Sequence, residues 1–96
     1  MLKGQQYSDT DRPTAKRIRQ LIEDQQYRCA MTGIELSPDD ANLDHIVPIS
    51  AGGEHVMGNV QVVHRVINQM KSTLPKDDFI NWCRKIVLHA EQNNEP

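Results

Sequence analysis

Six side chains between positions 44 and 68 are of the types found in hydrolytic and metal-binding sites. Aspartate and asparagine supply the hard oxygen ligands that Mg²⁺ and Mn²⁺ prefer, and histidine supplies a base near neutral pH. Asn68 precedes Lys71 by about one helical turn, so a metal ligand and a cation can face the same phosphate. The six residues are Asp44, His45, His55, Asn59, His64 and Asn68. From composition alone, capping and packing roles stay open for each of them.

Asp44 and His45 are adjacent, which limits how they can act together. Neighbouring residues on a strand point to opposite faces, so either one of the two is incidental or they do two different jobs. If both serve one phosphate, we expect the strand to be irregular at this point. His55 is interpreted as an exposed loop residue, and His64 as a half-buried packing residue.

The elements that would position these residues are short. Residues 42–48 and 60–63 are predicted to be strands, separated by a Gly-rich loop, and Pro48 ends the first of them. Residues 64–72 then switch to helical spacing. The centre of the chain is therefore a strand–loop–strand–helix unit.

Further elements are predicted on both sides of this unit. Apolar residues recur at spacings of three and four over residues 14–26, which follow Pro13 and predict an N-terminal helix of about that length. A short hairpin is expected around Thr32 and Gly33. A C-terminal helix is predicted over about residues 75–91. The chain is thus predicted to be one small α+β domain over residues 1–96, with its core at about 27–73.

The composition is that of an ordinary globular domain, with 96 residues, 38 % hydrophobic and 25 % charged. The net charge of −2 argues against a uniformly basic surface. However, residues 29–60 contain five acidic residues and no Lys or Arg, whereas Lys and Arg are frequent on both sides. An acidic centre between basic segments suits a cation site on a protein that contacts phosphates, and ordinary solvated faces are the alternative.

The sequence also argues against membrane and secreted classes. No apolar run approaches the roughly 20 residues needed to span a bilayer. The first ten residues lack the apolar segment of a signal peptide. Cys29 and Cys83 are too few for a disulfide scaffold and are expected to be free thiols. The expected location is therefore the cytoplasm.

Residues 27–73 resemble the HNH endonuclease family, whose catalytic unit is the ββα-metal fold. The resemblance rests on an ordered set: an Asp-His-Ile-x-Pro strand, a Gly-Gly loop, an Asn fourteen residues after the His, and a second Asn nine residues later followed by x-x-Lys. The matching positions are Asp44 to Pro48, Gly52-Gly53, Asn59, Asn68 and Lys71. The resemblance implies a core of two short antiparallel strands and a helix, in a bacterial or phage-encoded protein.

The family resemblance implies a role for each motif residue. His45 would be the general base that removes a proton from the attacking water. Asn59 would orient His45 through its side-chain amide and the loop backbone. Asp44 and Asn68 would hold one divalent cation, Mg²⁺ or Mn²⁺, against a non-bridging oxygen and the leaving 3′ oxygen. Substrate phosphates are expected to be bound by two cationic side chains, Lys71 and Arg65.

The chain departs from the common family pattern in two places. The third motif position, often a metal-binding His, is Asn68, which favours Mg²⁺ or Mn²⁺ over Zn²⁺ or Ni²⁺. Many relatives also carry two Cys-x-x-Cys pairs that bind a structural zinc ion. The matching segments are Cys29-Ala-Met-Thr32 and His64-Arg-Val-Ile67. With two of four ligands missing, a structural zinc site is not expected.

The resemblance thus implies a metal-dependent DNA endonuclease that nicks one strand per active site, with RNA as an open alternative substrate. One alternative function is a catalytically weak or inactive DNA-binding accessory domain on the same scaffold. Another is a zinc-stabilised interaction module that uses Cys29, His64, Cys83 or His89. No membrane partner is expected, and monomer and homodimer both stay open.

Overall fold

The computed structural model describes residues 7–93. Its elements are α1 (Ala15–Asp24), β1 (Ala41–His45), β2 (Val60–His64), α2 (Arg65–Lys71) and α3 (Lys76–Asn93), with 3₁₀ turns at Ile49–Ala51 and Met57–Asn59. One sheet of two antiparallel strands and three helices make a small α+β protein, as predicted. Both ends of the predicted 1–96 domain, and most of the segment expected to lack a signal peptide, lie outside the described residues. Within residues 7–93, no helix has the length and apolar character required to cross a membrane.

The first helix begins at a polar cap. Thr14 is extended, and its side-chain oxygen accepts a hydrogen bond from the backbone amide of Arg17 at 3.2 Å. The helix ends at Asp24, two residues before its predicted end. Gln26 and Tyr27 have φ angles of 57° and 59°, which are left-handed values that a right-handed helix cannot contain.

Gln25 joins the end of α1 to the sheet. Its Nε2 donates to the backbone oxygen of Val62 at 2.9 Å, and its Oε1 accepts from the amide of Val62 at 3.0 Å. The amide of Ala30 also donates to the Val62 oxygen at 3.0 Å. These bonds take the place of a third strand at this point of β2, because buried backbone groups need partners.

The hairpin expected around Thr32 and Gly33 is reduced to a single bridge. Arg28 and Glu35 pair as an isolated antiparallel bridge. Gly33 closes the turn with a φ of 76°, a conformation that glycine adopts without a steric cost. The turn buries Cys29 beneath it, at 3 % exposure.

The two strands pair in a regular register. Asp44 lies opposite Gln61, and His45, the last residue of β1, lies opposite Val60. The strand therefore ends before Pro48 and shows no irregularity at the Asp44–His45 step, contrary to expectation.

The core lies around β2. Val62 and Val63 are neighbours that point to opposite faces, yet they are 2 % and 0 % exposed, so the strand is covered on both faces. The buried apolar residues are Cys29, Met57, Val60, Val62, Val63 and Phe79. β2 is therefore the buried strand of the sheet, and β1 is held in place by pairing with it.

The second helix follows β2 without a connecting loop. Nδ1 of His64 caps its first turn by accepting from the amide of Val66 at 3.1 Å. The helix ends at Lys71 because Ser72 has φ 50° and ψ −124°, outside the helical region. This short helix places its last turn beside the end of β1.

The third helix begins directly after Pro75, close to its predicted start. Its first residue, Lys76, donates its backbone amide to the oxygen of Ile46 at 3.0 Å. Phe79 is the residue of this helix that reaches the core. The start of α3 is thereby fixed to the segment that leaves β1.

Candidate active site

A cleft of about 270 Å³ opens between the end of β1 and the end of α2. Asp44, His45 and Asn68 all line it, together with Pro48 from the loop and Ser72 from the turn after α2. The structure therefore brings the predicted base and both predicted metal ligands to one cleft. It does so although two of them are neighbours on a regular strand, because His45 lies at the strand's end.

Asp44 is almost fully buried, at 4 % exposure, and both of its carboxylate oxygens accept hydrogen bonds. Oδ2 accepts from Nε2 of Gln61, its cross-strand partner, at 2.9 Å. Oδ1 accepts from Nζ of Lys71 at 3.1 Å. A buried carboxylate needs such partners, because leaving its charge without them carries a large desolvation cost.

Lys71 lies at the end of α2, and its side chain is fully buried. Besides its ion pair with Asp44, its Nζ donates to the backbone oxygen of His45 at 2.8 Å. We expected this lysine to bind a substrate phosphate, but its ammonium points inward and binds the two residues at the end of β1. Helical spacing placed Lys71 near Asn68 and did not show that the last turn of α2 packs against the strand.

His45 is paired with a second histidine. Its Nε2 lies 2.8 Å from Nδ1 of His55, with the ring centroids 5.1 Å apart. Burial, and next the charge of His55, lower the pKa of His45 from its ordinary value; Asp44 opposes this shift and Lys71 adds to it. The lowered pKa favours the neutral ring at pH 7, and the neutral ring can accept a proton.

Asn59 holds the loop that follows β1. Its Oδ1 accepts from the amide of Val47, and its Nδ2 donates to the backbone oxygens of Val47 and Glu54, all at 2.9 Å. We expected Asn59 to orient His45 through its side-chain amide and the loop backbone, and all three bonds join that amide to the loop backbone. Asn59 thus fixes the path of the chain from His45 to His55.

Gly53 permits this loop to close. A Cβ atom at this position would overlap with the carbonyl group of Val47 and lie 2.8 Å from Nδ2 of Asn59. The backbones therefore approach more closely than any other residue allows. At the second position of the Gly-Gly motif, glycine is therefore required because no side chain fits there.

Arg65 lies at the opposite end of α2 from the cleft. Its Nε is 3.3 Å from Oδ1 of Asp40, and its side chain is 54 % exposed. A hydrogen bond from Ser37, and then one from Arg65, lower the pKa of Asp40. The structure does not bring Arg65, expected to bind substrate, to the residues that line the cleft.

Cys29 and His64, which the family resemblance aligned with zinc ligands, are near each other but bonded elsewhere. Sγ of Cys29 accepts from the backbone amide of His64 at 3.4 Å. The ring of His64 caps α2 through Nδ1 and lies 3.6 Å from Asp40 through Nε2. In residues 7–93, no group of three or more His, Cys, Asp or Glu side chains is arranged to hold a metal ion.

Two contacts of the site were not anticipated from the sequence. His55, interpreted as exposed, is half-buried against His45. Gln61 donates a hydrogen bond to Asp44. The sequence did contain a sign of this role, because Gln61 is a single polar residue among the valines of β2, the strand that pairs with that of Asp44. No signal of comparable clarity marked His55, since its position depends on the fold of the loop.

Comparison with models of known protein families and with curated proteins yields no match to this chain. The chemistry of the site is therefore inferred from its own residues. A neutral histidine and two side chains with oxygen ligands share one cleft at the edge of an acidic segment. Such a set can take a proton from water and hold a hard cation.

Proposed function

We propose that this chain is an HNH-type endonuclease that hydrolyses phosphodiester bonds in DNA with one divalent cation. The observation that supports the proposal most is the shared cleft of Asp44, His45 and Asn68. Phosphodiester hydrolysis requires an activated water, neutralisation of charge at phosphorus and a stabilised leaving oxygen. The protein would act in the cytoplasm of a bacterium, encoded by that bacterium or by a phage.

His45 would supply the base. A neutral imidazole in the cleft can remove the proton of a water molecule as that water attacks phosphorus. The lowered pKa of His45 favours the neutral ring at pH 7, which is the form that a general base needs. A positioned base of this kind contributes about 10²–10⁴ in rate.

Asp44 and Asn68 fit one Mg²⁺ or Mn²⁺. A carboxylate has about four lone-pair positions, and Gln61 and Lys71 use two of those on Asp44, so positions remain for a cation. When bound, the cation would neutralise the phosphorane and assist departure of the 3′ oxygen. A single carboxylate already paired with an ammonium makes a weak site, which the phosphate oxygens of DNA would complete.

Lys71 and Arg65 would have different tasks. Lys71 would hold the Asp44 carboxylate and the His45 backbone in position from inside the protein. Arg65, half exposed outside the cleft, would contact DNA phosphates beside the cut site. The basic residues on both sides of the acidic centre would add contacts of the same kind.

The proposal is tested by incubating supercoiled plasmid with the purified chain and Mg²⁺ or Mn²⁺. We expect nicked circles whose ends are a 3′ hydroxyl and a 5′ phosphate, so that DNA ligase reseals them. A chelator should abolish the reaction. If neither cation supports nicking, the proposal is refuted. Nicks that ligase cannot reseal would show that the 3′ oxygen is not the leaving group.

The Asp44–Lys71 ion pair favours one second candidate function, a DNA-binding accessory domain with weak or no catalysis. Because the ammonium already neutralises the carboxylate, the affinity for a cation is reduced. This candidate predicts that the chain retards labelled duplex DNA on a gel at concentrations where no nicking occurs. Nicking that follows the binding curve would exclude it.

A further inference from the structure

The contact between His45 and His55 requires one shared proton. Nε2 of His45 and Nδ1 of His55 are 2.8 Å apart, which is a hydrogen-bond distance. Two bare lone pairs at that distance would repel, and two N–H groups would clash. One of these nitrogens must therefore donate and the other accept, and the direction of the bond sets the tautomer of His45.

Only one direction leaves a base in the cleft. If Nε2 of His45 donates, its Nδ1 keeps a free lone pair; if Nε2 accepts, Nδ1 carries the proton and no lone pair is free. His45 lines the cleft, whereas His55 does not. Since Nε2 is occupied by His55, Nδ1 is the nitrogen left to meet a water molecule.

We infer that His55 is a positioning residue: it accepts a hydrogen bond from Nε2–H of His45 and so leaves Nδ1 of His45 as the base. This inference rests on the proposed function. In the reaction, the water proton passes to Nδ1 as the water oxygen bonds to phosphorus. The bond from phosphorus to the 3′ oxygen breaks, and that oxygen takes a proton from solvent. His55 itself contacts neither the attacking water nor the phosphate in this scheme.

The loop is built to hold His55 at this place. Nδ2 of Asn59 binds the backbone oxygen of Glu54, the residue directly before His55. On the other side, the amides of Met57 and Gly58 donate to the backbone oxygens of Asp11 and Asp9 at 2.7 and 2.9 Å. Asn59 therefore acts on His45 through the loop and His55, which gives its expected orienting role an indirect route.

The test compares His55→Asn with His55→Leu. The Oδ1 atom of an asparagine is bonded to Cγ, as Nδ1 is in histidine, so Asn can accept the same hydrogen bond; Leu cannot. Long-range ¹H–¹⁵N correlation spectra of the full chain at pH 8 with a chelator report which ring nitrogen of His45 carries the proton. Backbone amide spectra confirm that each variant is folded.

We expect the proton on Nε2 in the parent and in His55→Asn, and a mixture of tautomers in His55→Leu. In plasmid nicking, kcat should fall about tenfold in His55→Leu, the order expected for one lost hydrogen bond, with KM unchanged. His55→Asn should restore most of this rate.

A parent chain with the His45 proton on Nδ1 would overturn the inference whatever its activity. So would a His55→Leu variant that keeps the parent's tautomer and rate. A parent that carries the proton on Nε2 but never nicks DNA would contradict the proposed function, and would support the pairing of the two histidines.

Discussion

Replacing Lys71 with Met should destabilise the protein strongly. The ammonium of Lys71 is 3.1 Å from Oδ1 of Asp44, and the two side chains are 0 % and 4 % exposed. Met has a similar length without the charge, so Lys71→Met would leave the Asp44 carboxylate buried with Gln61 as its remaining side-chain partner.

The size of the effect follows from this burial. Removing one partner of a buried ion pair costs about 3–5 kcal/mol, because an unpaired charge stays buried. Small domains are stable by only about 5–15 kcal/mol, so the variant should lie near the limit of folding. A loss of 3 kcal/mol should lower Tm by roughly 12–24 °C for a chain of this size. The double variant Asp44→Asn with Lys71→Met should recover a large part of the loss.

The assay is urea unfolding followed by circular dichroism, on the parent, both single variants and the double variant. The coupling between the two sites should exceed about 1 kcal/mol, since residues in one buried pair are not additive. Lys16→Met, on the exposed side of α1, is the matched control and should change stability by no more than about 0.5 kcal/mol. If Lys71→Met unfolds like the control, the ion pair does not stabilise the fold as described.

Three further predictions concern catalysis and the loop. Burial and His55 lower the pKa of His45, and the neutral ring is the proposed base, so kcat/KM should have reached its maximum at pH 7 and fall only below about pH 6.5. A pH–rate profile in which the fall begins above pH 7 would contradict this. Asn68→Ala should raise the Mg²⁺ concentration for half-maximal nicking about tenfold, and an unchanged Mg²⁺ titration would remove Asn68 from the ligands. Asn59→Ala, which loses three loop hydrogen bonds, should reduce the free energy of unfolding by about 1–2 kcal/mol in urea, and a loss near zero would mean that the loop does not depend on them.

The sequence predicted the elements of this protein better than their contacts. The order of helices and strands followed from apolar spacing and from Pro13, Pro48 and Pro75, and each helix lies within about two residues of its predicted bounds. The early end of α1 was not predictable, because left-handed backbone at Gln26 and Tyr27 is carried by residues without a strong preference for it.

The candidate site was predicted in part. Asp44, His45 and Asn68 line one cleft, as the family resemblance implied, although the strand that carries the first two is regular. The inward direction of Lys71 was missed because a spacing of three fixes which side of a helix a residue takes, and packing decides whether that side is buried. The place of His55 was missed because it depends on a loop closed by the side chain of Asn59.

The sequence pattern also did not predict two side chains that bond to backbone groups in the way a neighbouring strand would. The side chain of Gln25 bonds to both the backbone N–H and the backbone C=O of Val62. The side chain of Asn59 does the same with Val47. Amide side chains of this kind are common in loops, and nothing in their spacing indicates such a partner.

The rate of plasmid nicking by His45→Ala, compared with His89→Ala, tests the central claim most directly. His89 is exposed on α3 and bonds only within that helix, to Asn93, among the contacts of the described residues. If His45 activates the water, His45→Ala should nick about 10²–10⁴ times more slowly than the parent, while His89→Ala nicks at the parent rate. A folded His45→Ala variant that nicks as fast as His89→Ala would contradict the account.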